Sequence, residues 1–161
     1  MAVPQLLITV DRLRAGAATR YLAARMTLAR AQAVKRSAYV ALRFDEDASG
    51  TSFGMFVDGN RNGVRTRDIT ARIDTALESP VRLSDLFPGV SIAMSDDSGA
   101  GPPVRVGSSR LLSFSPLGTA TSGTVYVRGR DGTQLAVRVL GVTGRARCLR
   151  YVPRTRQWVD F

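Results

Sequence analysis

QLLITVDRLRAGAATRYLAARMTLARAQAVKR, residues 5–36, is the stretch of sequence that decides the fold. It contains no proline and one glycine, Gly16. Apolar side chains recur along it at spacings of three and four, which is the period of an amphipathic α-helix. The members of this stripe are Leu6, Val10, Leu13, Ala17, Tyr21, Ala24, Leu28 and Ala31. We expect the stripe to pack against the chain's own sheet. A helix of ~30 residues is ~45 Å long, and that length also suggests packing against a second chain.

Beyond residue 37 the sequence favours short β-strands. Asp131-Gly132 is a strong hairpin signal, and residues 66–77 favour a short helix. The segments rich in β-branched and aromatic residues and bounded by turn formers are 38–44, 53–57, 90–94, 125–127, 135–140, 146–152 and 158–161. The predicted fold class is therefore α+β, with one long N-terminal helix packed on a mainly antiparallel β-sheet.

The composition excludes several classes of enzyme. The chain has 161 residues, a formal charge of +10, no histidine and a single cysteine, Cys148. Without histidine there is no Ser-His-Asp or Cys-His active site and no His-rich zinc site. The acidic clusters fall in predicted exposed turns and G-x-S-x-G is absent, so we expect no catalytic residues. The length suits one domain, residues 1–161, with a helix at 1–36 and a sheet region at 37–161.

Positive charge is concentrated towards both ends of the chain. Residues 12–43 hold eight positive side chains and no acidic one, whereas residues 44–100 hold five arginines and ten acids. Residues 101–161 hold ten arginines and two aspartates. Such charge favours a polyanionic partner. The alternative is that the arginines are solvated or paired with the acidic middle, where a surface ion pair contributes roughly 0–1 kcal/mol.

The basic C-terminal region is the strongest candidate for binding nucleic acid. Arg145 and Arg147 are two residues apart, so in a strand both side chains point to one face. Guanidinium groups bind phosphate in a bidentate manner, and interleaved aromatic rings can stack on bases. The candidate DNA-binding residues are Arg145, Arg147, Arg150, Tyr151, Arg154 and Arg156. The alternative to nucleic-acid binding is that these residues form an edge strand whose arginines are solvated.

A second motif, DGNRNG at residues 58–63, has the oxygen spacing of a calcium loop. Asp58, Asn60 and Asn62 would be the first ligands, and Asp68 lies one residue before the position of the usual bidentate glutamate. The neighbouring arginines would repel a cation, and Asn and Gly also form turns without metal. Calcium is therefore the one cofactor that the sequence allows us to consider.

Four stretches together resemble a known family, the GspH/FimT minor pseudopilins of type II secretion systems and type IV pili. They are AVPQLL (2–7), LAARMTLARAQAVKRSAYVALRF (22–44), FVDGNRNGVRTRDI (56–69), and FSPLGTATSGTVYVRG (114–129) followed by TGRAR (143–147). The last pair is the most specific, because F-S-P-x-G-T, S-G-T and T-G-R-x-R occur in the family's order. The family's prepilin peptidase site and following hydrophobic segment are not found in the chain.

The resemblance implies a pilin-like subunit that acts by assembly rather than catalysis. Its partners would be other pilins or pseudopilins, contacted through the helix residues Leu6, Val10, Leu13 and Ala17. An inner-membrane anchor would precede the sequence, and the sheet region would be periplasmic. FimT-type members are associated with DNA binding through a G-R-x-R motif, which Arg145 and Arg147 match. The alternative function is therefore a DNA-binding minor pilin for DNA uptake.

Overall fold

A computed structural model describes residues 3–161 of the chain. Its first element is the helix α1, Val3–Arg36, which is 34 residues long. Residues 1 and 2, which also belong to the predicted helix and to the first of the family-like stretches, lie outside the described residues. Lys35 and Arg36 occupy the last turn, where positive charge complements the helix dipole. Ser37 then takes a left-handed conformation, with φ of 50°, and ends the helix.

Two antiparallel sheets follow α1. In chain order the elements are β1 Val40–Asp47, β2 Gly50–Val57, α2 Thr66–Thr70, β3 Thr75–Arg82, α3 Leu83–Leu86, β4 Ser91–Ile92, β5 Val104–Val106, β6 Leu111–Phe114, β7 Gly123–Arg128, β8 Gln134–Leu140, β9 Arg145–Val152 and β10 Gln157–Asp160. The first sheet has the strand order β3-β2-β1-β6. The second has the order β10-β9-β8-β7-β4, and β5 also pairs with β7. The α+β class is confirmed, but the strands form two sheets where the sequence predicts one.

The hairpins were the most predictable part of the sheets. The β1–β2 hairpin and the β7–β8–β9–β10 meander are confirmed, and Asp131-Gly132 forms the β7–β8 turn. The short helix expected within residues 66–77 is α2, which ends at Thr70. The strands β3, β5 and β6 were not predicted. The last two are only three or four residues long, and β6 pairs with β1, far away in sequence.

The face of α1 that packs on the sheets is not the predicted one. The buried apolar positions are Ala15, Ala18, Leu22, Met26, Ala29 and Ala33. Successive residues of a helix are ~100° apart, which puts the predicted stripe from Leu6 to Ala31 on the opposite side. Only Tyr21 and Leu28 of that stripe approach the core, as partly buried neighbours. The prediction was wrong because it gave weight to leucine, whereas the contact is made mainly by alanines that let the helix come close.

The core lies under α1 and between the sheets. The helix contacts β7, β8 and β9 of the second sheet and β1 and β6 of the first. Aromatic and large aliphatic side chains of the first sheet, such as Phe44 and Phe114, are fully buried. They meet the valines of the second sheet, including Val125 and Val137, in one continuous apolar cluster. Burying each such side chain contributes about 1.5–3 kcal/mol.

Arginines of α1 tie the helix to the sheets. Arg30 donates from Nε to the carbonyl oxygen of Gly118 at 2.9 Å. Arg25 forms an ion pair with Glu78 of β3, and Arg12 forms one with Asp131 at 3.3 Å. Some of the arginines of α1 are therefore hydrogen-bonded or ion-paired within the chain. The positively charged side of the helix is not wholly solvated.

The Arg30 contact joins two loops through a pair of glycines. Gly144, with φ of 65°, lies so close to Gly118 that a Cβ on Gly144 would stand 2.2 Å from the Gly118 carbonyl oxygen and 3.0 Å from the Arg30 side chain. A further backbone hydrogen bond, from Ala120 to Gly141 at 2.8 Å, joins the same loops. The FSPLGT and TGRAR motifs therefore meet in space, and glycine is required where they meet.

Buried aspartates organise the loop between β2 and β3. Asp74 accepts hydrogen bonds from the backbone N–H groups of Gly59 and Arg65, each at 2.9 Å. Asp58 accepts from those of Asn60 at 3.1 Å and Gly63 at 2.8 Å. These carboxylates satisfy backbone donors that have no strand or helix partner.

We expect Gly144→Ala to lower the thermal midpoint of unfolding more than Gly132→Ala does. Both positions have positive φ, 65° and 84°, so both variants bear the cost of a left-handed alanine, about 1–2 kcal/mol. Gly132 has nothing within 4 Å of an added Cβ, so the extra loss at Gly144 measures the contact with Gly118. Thermal denaturation followed by circular dichroism tests this. Equal losses would show that the glycine pair does not hold the loops together.

Candidate functional site

The first turns of α1 expose an apolar surface. Burial against the sheets begins at Ala15. In the turns before it, Arg12 and Arg14 still reach Asp131 and the carbonyl oxygen of Pro88. The large apolar side chains of residues 3–14 are 44–69% exposed, and they are Val3, Leu6, Leu7, Ile8, Val10 and Leu13. A contiguous exposed apolar surface of this kind usually marks a contact with another molecule. Within residues 3–161, no helix is both long enough and apolar enough to cross a bilayer.

The predicted assembly residues all lie on this exposed side. Leu6, Val10 and Leu13 are 62%, 44% and 69% exposed, and Ala17 is also exposed. They are accessible because the opposite, alanine-rich side of α1 meets the chain's own sheets. Their role in assembly stays a prediction.

Arg145 and Arg147, the first two candidate DNA-binding arginines, lie on the same face of one strand, as predicted. Arg145 and Arg147 are exposed on β9 and alternate with Ala146 and Cys148, whose side faces α1. Arg147 is not free, since its Nε lies 3.1 Å from Oδ1 of Asp160. The register of β8 and β9 places Arg138 directly opposite Arg147. Sequence reasoning missed Arg138 because the pairing of two strands decides which residues are neighbours.

The other arginines among the DNA-binding candidates do not join this surface. Arg150 belongs to the α1-facing side of β9 and lines a cleft beside the helix. Arg154 and Arg156 lie in the turn between β9 and β10. Tyr151 packs against Trp158, with ring centroids 5.3 Å apart, so its ring is partly covered. The predicted cluster is therefore distributed over three surfaces.

The candidate calcium ligands come close together only in part. Asn60 Nδ2 lies 3.4 Å from Oδ2 of Asp68, and both Asp58 and Asp68 are buried. The Asp58 oxygens already accept backbone N–H groups, and Asn62 is exposed. Over residues 3–161, no group of three or more Cys, Asp or Glu side chains has the arrangement of a metal site. Asp74, which the motif does not include, accepts as many backbone hydrogen bonds in the loop as Asp58 does.

The single thiol shows no sign of activation. Burial raises the pKa of the Cys148 thiol, and nearby Arg20 opposes that rise only in part. A raised pKa keeps the sulfur protonated and weakly nucleophilic. Cys148 therefore acts as a small, half-buried hydrophobic side chain.

Comparison with known proteins gives one family and one fold. The family model described as type II transport protein GspH matches residues 18–144, which is most of the chain. Among solved structures, the minor pseudopilin EpsH from the type 2 secretion system of Vibrio cholerae is similar, with a TM-score of 0.55 and 12% sequence identity. That match covers 85% of this chain and 97% of the other. No curated protein sequence matches.

The two matches agree with the geometry. The structural likeness, at this low identity, concerns the fold of a long helix on antiparallel sheets. The family match begins within α1 and ends at Gly144, so it includes the Arg30 contact and the glycine pair but stops directly before Arg145. The chain belongs to the GspH family of type II transport proteins.

Proposed function

We propose that this GspH-family pseudopilin is a minor subunit of a type II secretion pseudopilus, joined to its neighbours through the exposed side of α1. The observation that carries the proposal is the separation of the two helix sides. One side, rich in alanine, is buried against the chain's own sheets, and the leucines at positions 6 and 13 are more than half exposed. Proteins of this family are structural subunits, and catalysis has no part in the proposal.

The exposed turns are suited to a helix–helix contact. Side chains three and four residues apart share one face of a helix, so Leu6, Val10 and Leu13 can pack together against a second helix. Burial of each large apolar side chain contributes about 1.5–3 kcal/mol. Several such side chains on adjacent turns supply a contact strong enough to order subunits in a fibre.

The partners and location follow from the same proposal. The partners are other pseudopilins. The sheet region lies in the periplasm, and the subunit is anchored in the bacterial inner membrane before assembly. Assembly at the tip of a type IV pilus is the alternative within the same fold.

The assembly proposal predicts that Leu6→Ser combined with Leu13→Ser reduces secretion through the type II system and incorporation into the pseudopilus. The thermal midpoint of the purified chain should change little, because neither side chain is buried. The full-length protein is to be expressed in place of the native copy, and the secreted substrate measured. Leu117→Ser is the matched control, since Leu117 is 90% exposed but lies in the β6–β7 loop. Normal assembly of the double variant would contradict the proposal.

DNA binding is the second candidate, and the observation that favours it is the pairing of Arg138 with Arg147. Like charges directly opposite each other on adjacent strands are unfavourable, and a phosphate between them would remove the repulsion. Arg145 extends the same exposed strand. Asp160 neutralises part of this charge through its contact with Arg147, so the nucleic acid would have to displace it.

For DNA binding we expect micromolar affinity that falls as salt rises, because phosphate contacts release counterions. Arg145→Ala combined with Arg147→Ala should weaken binding and make the dependence on salt shallower. The measurement is a fluorescence titration with short DNA at several salt concentrations. Arg61→Ala combined with Arg65→Ala, two exposed arginines in the β2–α2 loop, is the control. Unchanged binding by the first pair, or binding that ignores salt, would rule this function out.

Calcium at the loop of residues 58–68 is a separate proposal, supported by the approach of Asp58, Asn60 and Asp68. It predicts that millimolar calcium raises the thermal midpoint of the wild-type chain. Asp58→Ala should abolish that rise, whereas Asp85→Ala, at an exposed position in α3, should keep it. The variant midpoints without calcium serve as the reference, because Asp58 also accepts backbone hydrogen bonds. No response of the wild-type chain would exclude calcium here.

A further inference from the structure

We infer that the cleft between α1 and the end of the second sheet binds an acidic segment of a neighbouring subunit. This inference rests on the proposed assembly function and gives its contact a position and a chemistry. The cleft has a volume of about 640 Å³, within the range of about 300–1,000 Å³ typical of ligand sites. Its walls come from α1, from β8 and β9, from the chain end at Phe161, and from the loop that contains Ser95 and Asp97.

The cleft is lined by two exposed arginines that have no ion-pair partner in the part of the chain that the structure describes. Arg20 of α1 and Arg150 of β9 both border it. Among residues 3–161, neither of these arginines has a carboxylate partner. Arg20 lies over the ring of Phe161, 5.0 Å from its centroid, which fixes the guanidinium group without using its N–H donors. Two arginines with free donors are suited to carboxylates, which they bind through paired hydrogen bonds.

The acidic side chains of the cleft do not compensate for these arginines. Asp131 accepts hydrogen bonds from the N–H and hydroxyl of Thr133, at 3.2 and 2.6 Å, and pairs with Arg12 at 3.3 Å. Burial alone would raise the pKa of Asp131, but the Thr133 and Arg12 contacts outweigh it and lower the pKa. The negative charge of Asp131 is therefore already paired with Arg12 and does not neutralise Arg20 or Arg150. Asp97, on the 95–97 loop, is exposed but also lines the cleft, so its charge offsets one of the two arginines at most and leaves the cleft net positive.

The shape of the cleft admits a chain segment beside α1. Gly16 forms part of its floor, and the nearest atoms to an added Cβ there are Arg20 Nη1 at 3.6 Å and Phe161 Cε2 at 3.8 Å. Leu13 and Tyr151 give the walls an apolar component. Arginine and tyrosine are enriched among the residues that carry protein–protein binding energy. The cleft thus combines charge for carboxylates with apolar surface for the side chains between them.

Continuity with the exposed helix side identifies the occupant. Leu13 belongs both to the cleft and to the exposed apolar turns, where it is 69% exposed. A subunit that packs along residues 3–14 of α1 therefore comes to the mouth of the cleft. Charge complementarity then requires that the segment entering it be acidic.

The experiment uses the 161-residue chain and two blocked peptides of matched shape, Ac-Leu-Glu-Leu-Asp-Leu-NH₂ and Ac-Leu-Gln-Leu-Asn-Leu-NH₂. Binding is followed by NMR chemical shifts, including the arginine Nε–H signals. We expect the acidic peptide to bind at least ten-fold more tightly than the neutral one and to shift signals of Leu13, Gly16 and Arg20. Arg150→Gln and Arg20→Gln should each weaken binding at least five-fold. Arg128→Gln, at an exposed β7 position outside the cleft, should not.

Other results would overturn the inference. Equal binding of the two peptides, shifts confined to other surfaces, or unchanged affinity in Arg150→Gln would each do so. Citrate that binds as tightly as the acidic peptide would make the cleft a small-anion site instead. If Arg20→Gln disturbs folding, the affinities of Arg150→Gln and Arg20→Lys for the acidic peptide are measured instead. The result is distinguishable from failure of the assembly proposal, because the secretion effect of the Leu6 and Leu13 changes does not depend on peptide binding.

Discussion

The close contact between α1 and the sheets is the constraint on which the rest of the structure depends. Alanines at four of the six buried apolar positions allow the helix backbone to approach β7, β8 and β9. Larger side chains there would push the helix away and open the core. The Arg30 hydrogen bond to Gly118 and the adjoining Gly144 maintain the approach at the far end of the helix. Because one side of α1 is used in this way, Leu6 and Leu13 on its other side remain available to a partner.

Local sequence features predicted local structure well and long-range structure poorly. The helix, the β1–β2 hairpin and the C-terminal meander each depend on residues close in sequence, and they are confirmed. The strand β6 and the division into two sheets depend on pairing between distant segments, which periodicity does not report. The helix face was wrongly predicted for a related reason: hydrophobicity ranks leucine above alanine, whereas close packing against a sheet selects the smaller side chain.

The candidate sites show the same limit. The alternation of side chains along a strand correctly put Arg145 and Arg147 on one face, but strand register was needed to add Arg138. Arg150 and the turn arginines belong to other surfaces, so a basic stretch in sequence is not one basic patch in space. The glycine of T-G-R-A-R has a structural explanation in its contact with Gly118, and the conformation of that loop does not require DNA. In the 58–74 loop, Asp74 holds the backbone N–H groups of Gly59 and Arg65, and it lies outside the motif.

The sparse packing of the first turns of α1 also has a consequence for motion. Residues 3–14 bury little surface against the sheets, and most of the stability of a helix in a protein comes from tertiary packing. These turns are therefore the part of α1 with the lowest local free energy of unfolding in a free subunit. Packing of a neighbour against Leu6 and Leu13 would suppress that unwinding and slow amide hydrogen exchange. Assembly would then convert these locally unstable turns into a rigid rod, and the entropy lost in that ordering would oppose premature association.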